Sequence, residues 1–356
     1  MQSIAAVVMM MLLGGVCQAQ DAPPPPERVL PVDPVELVGG NETLGNPELT
    51  VERDGYFYRF ASPANREAFL ANPEKYELAD GGACGRMGAL SGLGDARRFV
   101  VHEGRIYAFA SEGCRAGFLK DPEKSIDRPD SAPSGTDEQI EQGRATVDRL
   151  VAWAGGRERL AAVSSYQHRI ERIVPNGETT ARVVSRAGIQ YPAIYVRGEC
   201  WEDSCWVFAA CEKRGVLVSG DKREALAQSR VEVLRRTMGR LPLEAIRASI
   251  AEDFVAVSDG EGEIDGTRVE FVRTWHAGVG LRLGVEKEMG RLVSLAYRGR
   301  EGGGNVQAHT CRYTKYGTVE GVTLPKAWWT RSGEKQSQTT LAEIVLNQPV
   351  ELPDLP

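Results

Sequence analysis

The chain has 356 residues, more than one ordinary compact core holds, and suits a multidomain protein. Its 43 Lys and Arg stand against 49 Asp and Glu, a net charge of -6, so there is no broad basic surface to neutralise phosphates and nucleic acid is excluded as an expected partner.

The first residues, MQSIAAVVMMMLLGGVCQAQ, are apolar from Ile4 to Val16. That run is too short to span a bilayer but suits the h-region of an export signal, 1–19, with Cys17 and Ala19 as the small residues before cleavage. The segment ahead of it carries no Lys or Arg. A lipid tether at Cys17 is the competing reading, against which the large Val16 speaks. Residues 20–32, with DAPPPPERVLP, read as an extended proline-rich spacer. Export to a periplasmic or envelope compartment makes disulfides the default. Beyond Cys17 the chain has Cys84, Cys114, Cys200, Cys205, Cys211 and Cys311, an even set whose connectivity the spacing leaves open.

Next comes an internal repeat: FASPANREAFLANPEKY at 60–76 returns as FASEGCRAGFLKDPEKS at 109–125. In each copy a turn at DG or EG leads into a strand of alternating aromatics. Ser62 or Ser111 then caps a helix that carries Phe69-Leu70 or Phe118-Leu119 and stops near Asn72-Pro73 or Asp121-Pro122. The two strand-turn-helix modules occupy 33–79 and 80–126. With DPVELV at 33–38 and ACGRM at 83–87, the pair resembles the YHS family of small treble-clef-like modules related to TRASH metal-binding domains. The first copy has lost every cysteine of that outline, while the second keeps Cys84 and Cys114, with Ala110 at the family's middle cysteine position. The resemblance implies a thiophilic ion, zinc or copper, held by Cys84, Cys114 and His102, although structural zinc wants four ligands. A Cys84–Cys114 disulfide, or two buried thiols, is the preferred reading of the same residues.

DRPDSAPSGTD, within 127–138, reads as a linker. The remainder, 139–353, opens with a helix capped by Thr136 and Gln139, with an apolar face of Ile140, Val147, Leu150, Val151 and Ala154 ended by Gly155-Gly156. From Ser164 onward the pattern is mostly strands of period two, such as TRVEFVRTW (267–275), VGLRLGV (279–285) and LAEIVLN (341–347), separated by turns such as SDGEGEIDG. Residues 221–254 read as helical, broken at Leu241-Pro242. The expected class is therefore α+β: two small modules, then a large curved antiparallel sheet covered by helices.

On LVAWAGGRERLAAVSSYQ (150–167), GRLVSLAYRGR (290–300), YTKYGTVEGVTLPKAWW (313–329) and IVLNQPVELPDLP (344–356), this part resembles the LolA/LolB-like family of outer-membrane lipoprotein carriers and sorting proteins. These are half-barrels whose concave side is closed by helices. The resemblance implies a hydrophobic cavity for an acyl chain or lipid, hence an apolar ligand or a lipoprotein as partner, with an envelope protein as a further partner. It carries no individual ligand-contacting residue onto this chain. A hollow of more than about 300 Å³ is the expected signature.

Chemistry elsewhere is sparse. Cys200 and Cys205 flank a four-residue loop and would face each other across a hairpin, leaving Cys211 to meet Cys311; a Cys/His metal site with His276 or His309 is the weaker alternative. There is no Gly-x-Ser-x-Gly elbow, the four histidines stand singly, and no catalytic set emerges. DGEGEIDG (259–266) lacks the bidentate glutamate of a calcium loop and reads as a solvated turn. Trp201/Trp206 and Trp328-Trp329 read as sheet packing. Two functions follow: a non-enzymatic carrier of an apolar ligand, or thiophilic metal binding by the repeated modules with the half-barrel as scaffold.

Overall fold

A computed structural model describes residues 27–176, 179–201, 204–300 and 304–352. The segment read as an export signal, Cys17 and most of the proline-rich segment lie outside the described residues. No described helix is long and apolar enough to cross a membrane.

The first unit comprises β1 (Val29–Leu30), α1 (Pro34–Val38), β2 (Asn46–Arg53), β3 (Tyr56–Phe60), α2 (Pro63–Ala71) and α3 (Pro73–Tyr76). The second repeats the central part as β4 (Asp95–His102), β5 (Arg105–Phe109) and α4 (Glu112–Lys120). The repetition extends to atomic detail. Asp54-Gly55 and Glu103-Gly104 turn the two hairpins with positive φ at both positions, 50° and 73° in one and 50° and 71° in the other, as a twist-matched two-residue turn requires. Ser62 Oγ accepts the Asn65 amide at 3.2 Å, and Ser111 Oγ accepts the Cys114 amide at 3.1 Å. Phe69 packs on Tyr58 and Phe60 at 4.9 and 5.2 Å, just as Phe118 packs on Tyr107 and Phe109 at 5.0 and 5.1 Å. Each module is thus a hairpin roofed by one helix, whose phenylalanine anchors two strand aromatics.

After α5 (Asp137–Trp153) and α6 (Arg157–Ala162) the chain enters one large sheet. Its strands are β6 (Ser165–Asn176), β7 (Thr179–Gln190), β8 (Ile194–Trp201), β9 (Ser204–Cys211), β10 (Arg214–Ser219) and β11 (Lys222–Ala225). Helices α7 (Gln228–Gly239) and α8 (Pro242–Ala248) intervene. Then come β12 (Val255–Ile264), β13 (Thr267–His276), β14 (Val279–Glu286), β15 (Leu292–Arg300), β16 (Val306–Val319), β17 (Val322–Ser332) and β18 (Lys335–Leu346). The 13-stranded order β11-β10-β9-β8-β7-β6-β18-β17-β16-β15-β14-β13-β12 joins two antiparallel meanders where β18 meets β6. The architecture is a mixed α+β one, with a curved antiparallel wall and a few covering helices.

This topology dictates the cover. β11 and β12 are consecutive in sequence yet form opposite edges of the sheet. The chain between them must cross from edge to edge, and it does so as α7 and α8. Flat, the edges would stand about 58 Å apart, whereas the two helices measure only about 18 and 10 Å, so the crossing is direct because the sheet curls beneath it. The inner row of side chains and the buried faces of α5, α7 and α8 form one core, with Leu150, Leu234, Ile246, Leu283 and Leu295 fully buried. Edge strand β12 is covered by α5, where Gly143 is required: a Cβ there would stand 2.9 Å from the Ala256 carbonyl and the Ser258 amide. The opposite edge, β11, is four residues long and carries Lys222 and Arg223.

Three expectations are corrected. Residues 221–254 are not helical throughout, because 222–225 pairs with β10 and the helices cover only Gln228–Gly239 and Pro242–Ala248; the break at Pro242 is as read. DGEGEIDG is mostly strand: β12 runs to Ile264, absorbing its glycines through a register shift between Ser258 and Glu261, with Gly260 at φ 85°. Residues 127–138 are no loose linker. Trp275 Nε1 donates to the Asp130 carbonyl at 2.7 Å, Asp130 accepts the Gly280 amide at 2.9 Å, and Asp127 receives both guanidinium nitrogens of Arg240.

Candidate functional site

Strand register sets what faces the hollow. Alternate residues His168, Ile170 and Arg172 of β6 share a face with Ser185 and Ala187 of β7, which pair across to Glu199 and Arg197 of β8; these in turn pair with Trp206 and Phe208 of β9. On the other side Thr339 pairs with Trp328, Trp328 with Tyr313, and Thr330 with Cys311. Under α7 and α8 these side chains enclose two neighbouring chambers.

The smaller chamber, about 120 Å³, lies over the sheet centre, between Ile170, Tyr313, Trp328 and the Met238-Leu241-Pro242 corner of the helices. The larger, about 450 Å³, lies toward β8–β10 with Trp206, Phe208, Leu217 and Val233 on its apolar side. Its outer wall comes from the amino-terminal half: Met87, Leu90 and Ser91 of the second module, together with Ser125 and Asp127. Arg197, Thr237 and Arg300 line both chambers and so form the waist between them.

Three arginines hold that wall in place. Arg230, 1% exposed, donates Nε to the Ala89 carbonyl and Nη2 to the Ser91 carbonyl, both at 2.8 Å, and pairs with Glu224. Arg300 donates Nη2 to the Ser125 carbonyl at 2.6 Å and Nη1 to the Arg86 carbonyl at 3.3 Å. Arg240 forks onto Asp127 at 3.1 and 3.0 Å, and Gly299 leaves it room: a Cβ there would stand 2.2 Å from Arg240 Nη1. The modules are therefore part of the enclosure of the hollow.

The lining is amphipathic, whereas the resemblance implies a hydrophobic cavity. Glu199, 5% exposed, accepts from Arg172 at 3.0 Å, Ser185 at 3.4 Å and Arg197 at 3.5 Å. His168 at the sheet centre is pushed down to about 3 by burial, so it is a neutral partner for the Tyr166 hydroxyl on its Nδ1. His309 is fixed by Ser332 at 2.6 Å and the Gly299 carbonyl at 3.1 Å, and stacks on Tyr297. Outside the chambers a groove of about 930 Å³ runs along the rim between α7–α8 and the strand ends near Tyr195 and Val279. Glu244 on that groove accepts from Tyr191, and burial raises its carboxyl to about 7 despite Arg247 nearby.

The cysteines divide differently from the sequence reading. Cys200 and Cys205 stand opposite each other on β8 and β9 and are joined in a disulfide. Cys211 and Cys311 do not pair: β9 and β16 are six positions apart in the sheet order, and the Cys311 thiol lies 3.5 Å from the Thr330 hydroxyl. Cys84 and Cys114 share the small core of the second module but form no disulfide. Cys84 Sγ instead accepts the Ala110 amide at 3.4 Å, and burial pushes this thiol up. His102 does not join them. Its Nε2 faces Glu103 at 4.0 Å, and the compact group of ligand-type atoms among the described residues is His102, Glu103 and Glu123, where Arg128 Nη2 already bridges the carboxylates at 2.7 and 2.9 Å. His276 pairs with Asp253 at 2.8 Å. The arginine-lined waist was absent from the sequence reading, because its members lie far apart in the chain and no local spacing marks them.

No family model matches this sequence, and no curated protein matches it. Solved structures similar in fold include a putative outer membrane lipoprotein-sorting protein domain from Vibrio parahaemolyticus, at 9% identity and TM-score 0.39, covering 60% of this chain and 95% of that one. A DUF1329 family protein from Desulfovibrio piger is similar at 6% identity and TM-score 0.40, over 60% of this chain and 95% of that one. A LolA superfamily protein from Nitrosomonas europaea is similar at 12% identity and TM-score 0.39, over 57% of this chain and 93% of that one.

Proposed function

We propose that this protein is an exported, non-enzymatic carrier that shelters the acyl part of a lipid or lipoprotein in the hollow between its curved sheet and its covering helices. The observation that carries this reading is the 450 Å³ chamber. It falls within the range of about 300–1,000 Å³ typical of ligand pockets, and one wall is formed by Trp206, Phe208, Leu217 and Val233. Leaving such a wall bare would forfeit dispersion contacts that a chain of methylenes restores, at about 0.8 kcal/mol per CH₂ buried. The amino-terminal modules act in this reading as a cover, docked through Arg230, Arg240 and Arg300. The Cys200–Cys205 disulfide fits an oxidising compartment.

Native mass spectrometry of the full chain, purified without detergent and then offered palmitoyl lipids, tests this. One acyl lipid per chain is the expected result. Leu217→Trp and Val233→Trp, each placing an indole in the chamber, should abolish the adduct while preserving the circular dichroism of the fold. Retention of the adduct by both would place the ligand elsewhere.

A further inference from the structure

The charges at the waist go beyond what an acyl chain needs. Glu199 gives its closest contact to Arg172 at 3.0 Å and leaves Arg197 the longer one at 3.5 Å. Asp127 is taken bidentately by Arg240. Arg300 then has no carboxylate within ion-pair reach among the described residues; its partners are the carbonyls of Arg86, Ser125 and Gly304. Carbonyl oxygens solvate a guanidinium without neutralising it, and Arg300 Nε is buried without any partner. Burial, and after it the nearby positive charge of Arg86, lowers the Arg300 guanidinium to about 10, while Asp127 and Asp80 offset this only in part. Asp80 also lines the larger chamber; burial raises its carboxyl, against the pull of Arg105, Arg236, Arg230 and Arg300. A cation taken out of water costs several kcal/mol unless a counter-charge meets it. Here the fold keeps one at the junction of two amphipathic chambers.

We infer that the waist is an anion seat: Arg300, with Arg197 lining the same waist, receives the phosphate or carboxylate headgroup of an amphiphile whose acyl chain lies in the larger chamber. This rests on the carrier reading and names its ligand class, an anionic lipid over a neutral one. Arg300 Nη1 and Nη2 already donate to carbonyls, so an anion here is met by the positive charge and by the N–H groups left over, with the carbonyl contacts holding the guanidinium in place.

Isothermal titration of the full chain with three lipids of the same acyl chain decides it: lysophosphatidylglycerol, lysophosphatidylcholine and monoacylglycerol, each below its micelle concentration. Inorganic phosphate is the fourth ligand. The anionic lipid should bind about 10-fold or more tightly than the monoacylglycerol, equivalent to about 1.4 kcal/mol. Arg300→Gln should bring it down to the monoacylglycerol's level, and Arg300→Lys should recover part of the preference, which separates lost charge from lost folding. Equal affinity for all three lipids, or a preference that survives Arg300→Gln, overturns the anion seat and leaves the carrier reading standing. Phosphate alone binding as tightly as the anionic lipid also overturns it, because the anion would then be no headgroup. Failure of every lipid to bind contradicts the carrier reading itself.

Discussion

Asn65 Nδ2 donates to Asp33 Oδ2 at 2.8 Å in the first module, and the second module has Cys114 at the position of Asn65. Asp33 accepts the Ala61 amide at 2.6 Å, whereas Cys84 accepts the amide of the repeat-equivalent Ala110; Asn65 and Cys114 both sit three residues past a capping serine. One copy therefore ties its helix to its opening segment with a carboxylate–amide pair, whereas the other has the Cys84 and Cys114 thiols in one small apolar core.

Asp33 is fully buried and also caps α1 through the Val35 and Glu36 amides. Asp33→Ala should destabilise the protein by about 3 kcal/mol, since it strands several donors at once. Asn65→Ala removes one hydrogen bond to the same carboxylate and should cost about 1 kcal/mol. Urea unfolding measures both, and a loss below about 0.5 kcal/mol for Asp33→Ala would contradict this role.

Gly299→Ala should dislodge Arg240 from Asp127, because no room exists for a Cβ beside the guanidinium. A loss of about 2 kcal/mol is expected, with faster amide exchange over 127–138. Gly92→Ala is the control: a Cβ there meets nothing within 4 Å, and its cost should stay below about 0.5 kcal/mol.

Glu244 gives a pH dependence of definite sign. Its carboxyl is raised to about 7 in the folded protein from an ordinary 4.5, so between those values the folded state holds the proton more tightly. Its contribution is present below pH 4.5 and is lost as pH rises through 7. Relative to Glu244→Gln, the wild type should lose on the order of 2 kcal/mol across that window, measured as the difference between the two stability curves. A difference independent of pH would contradict the shift.

Much of the fold could be read along the chain because its signals are local. The Ser62 and Ser111 caps, the Thr136–Gln139 capping box, the glycine stop after Ala154 and the break at Pro242 all act within a turn or two of the backbone. Where pairing decides, local pattern misleads. Residues 222–225 carry a helix-like composition but complete an edge beside β10, and the polar, glycine-bearing 259–264 is held in β12 by β13. The candidate site was the least legible part. Its curvature follows from β11 and β12 being opposite edges, which only the whole topology reveals, and its arginines 197, 240 and 300, from β8, the end of α7 and β15, come to one hollow only through that curvature. The 127–138 strap is polar and proline-bearing in sequence, yet its backbone carbonyls and acids are what Trp275, Gly280 and Arg240 need.

The position of a bound acyl chain decides most directly whether the covered hollow is the binding site. Trp206 faces the larger chamber, so a palmitoyl chain brominated near its middle should quench tryptophan fluorescence on binding, and Trp206→Phe should remove most of that quenching while the lipid still binds. Quenching of equal size in Trp206→Phe, or none at saturation in the wild type, would mean that the covered hollow is not where the chain goes.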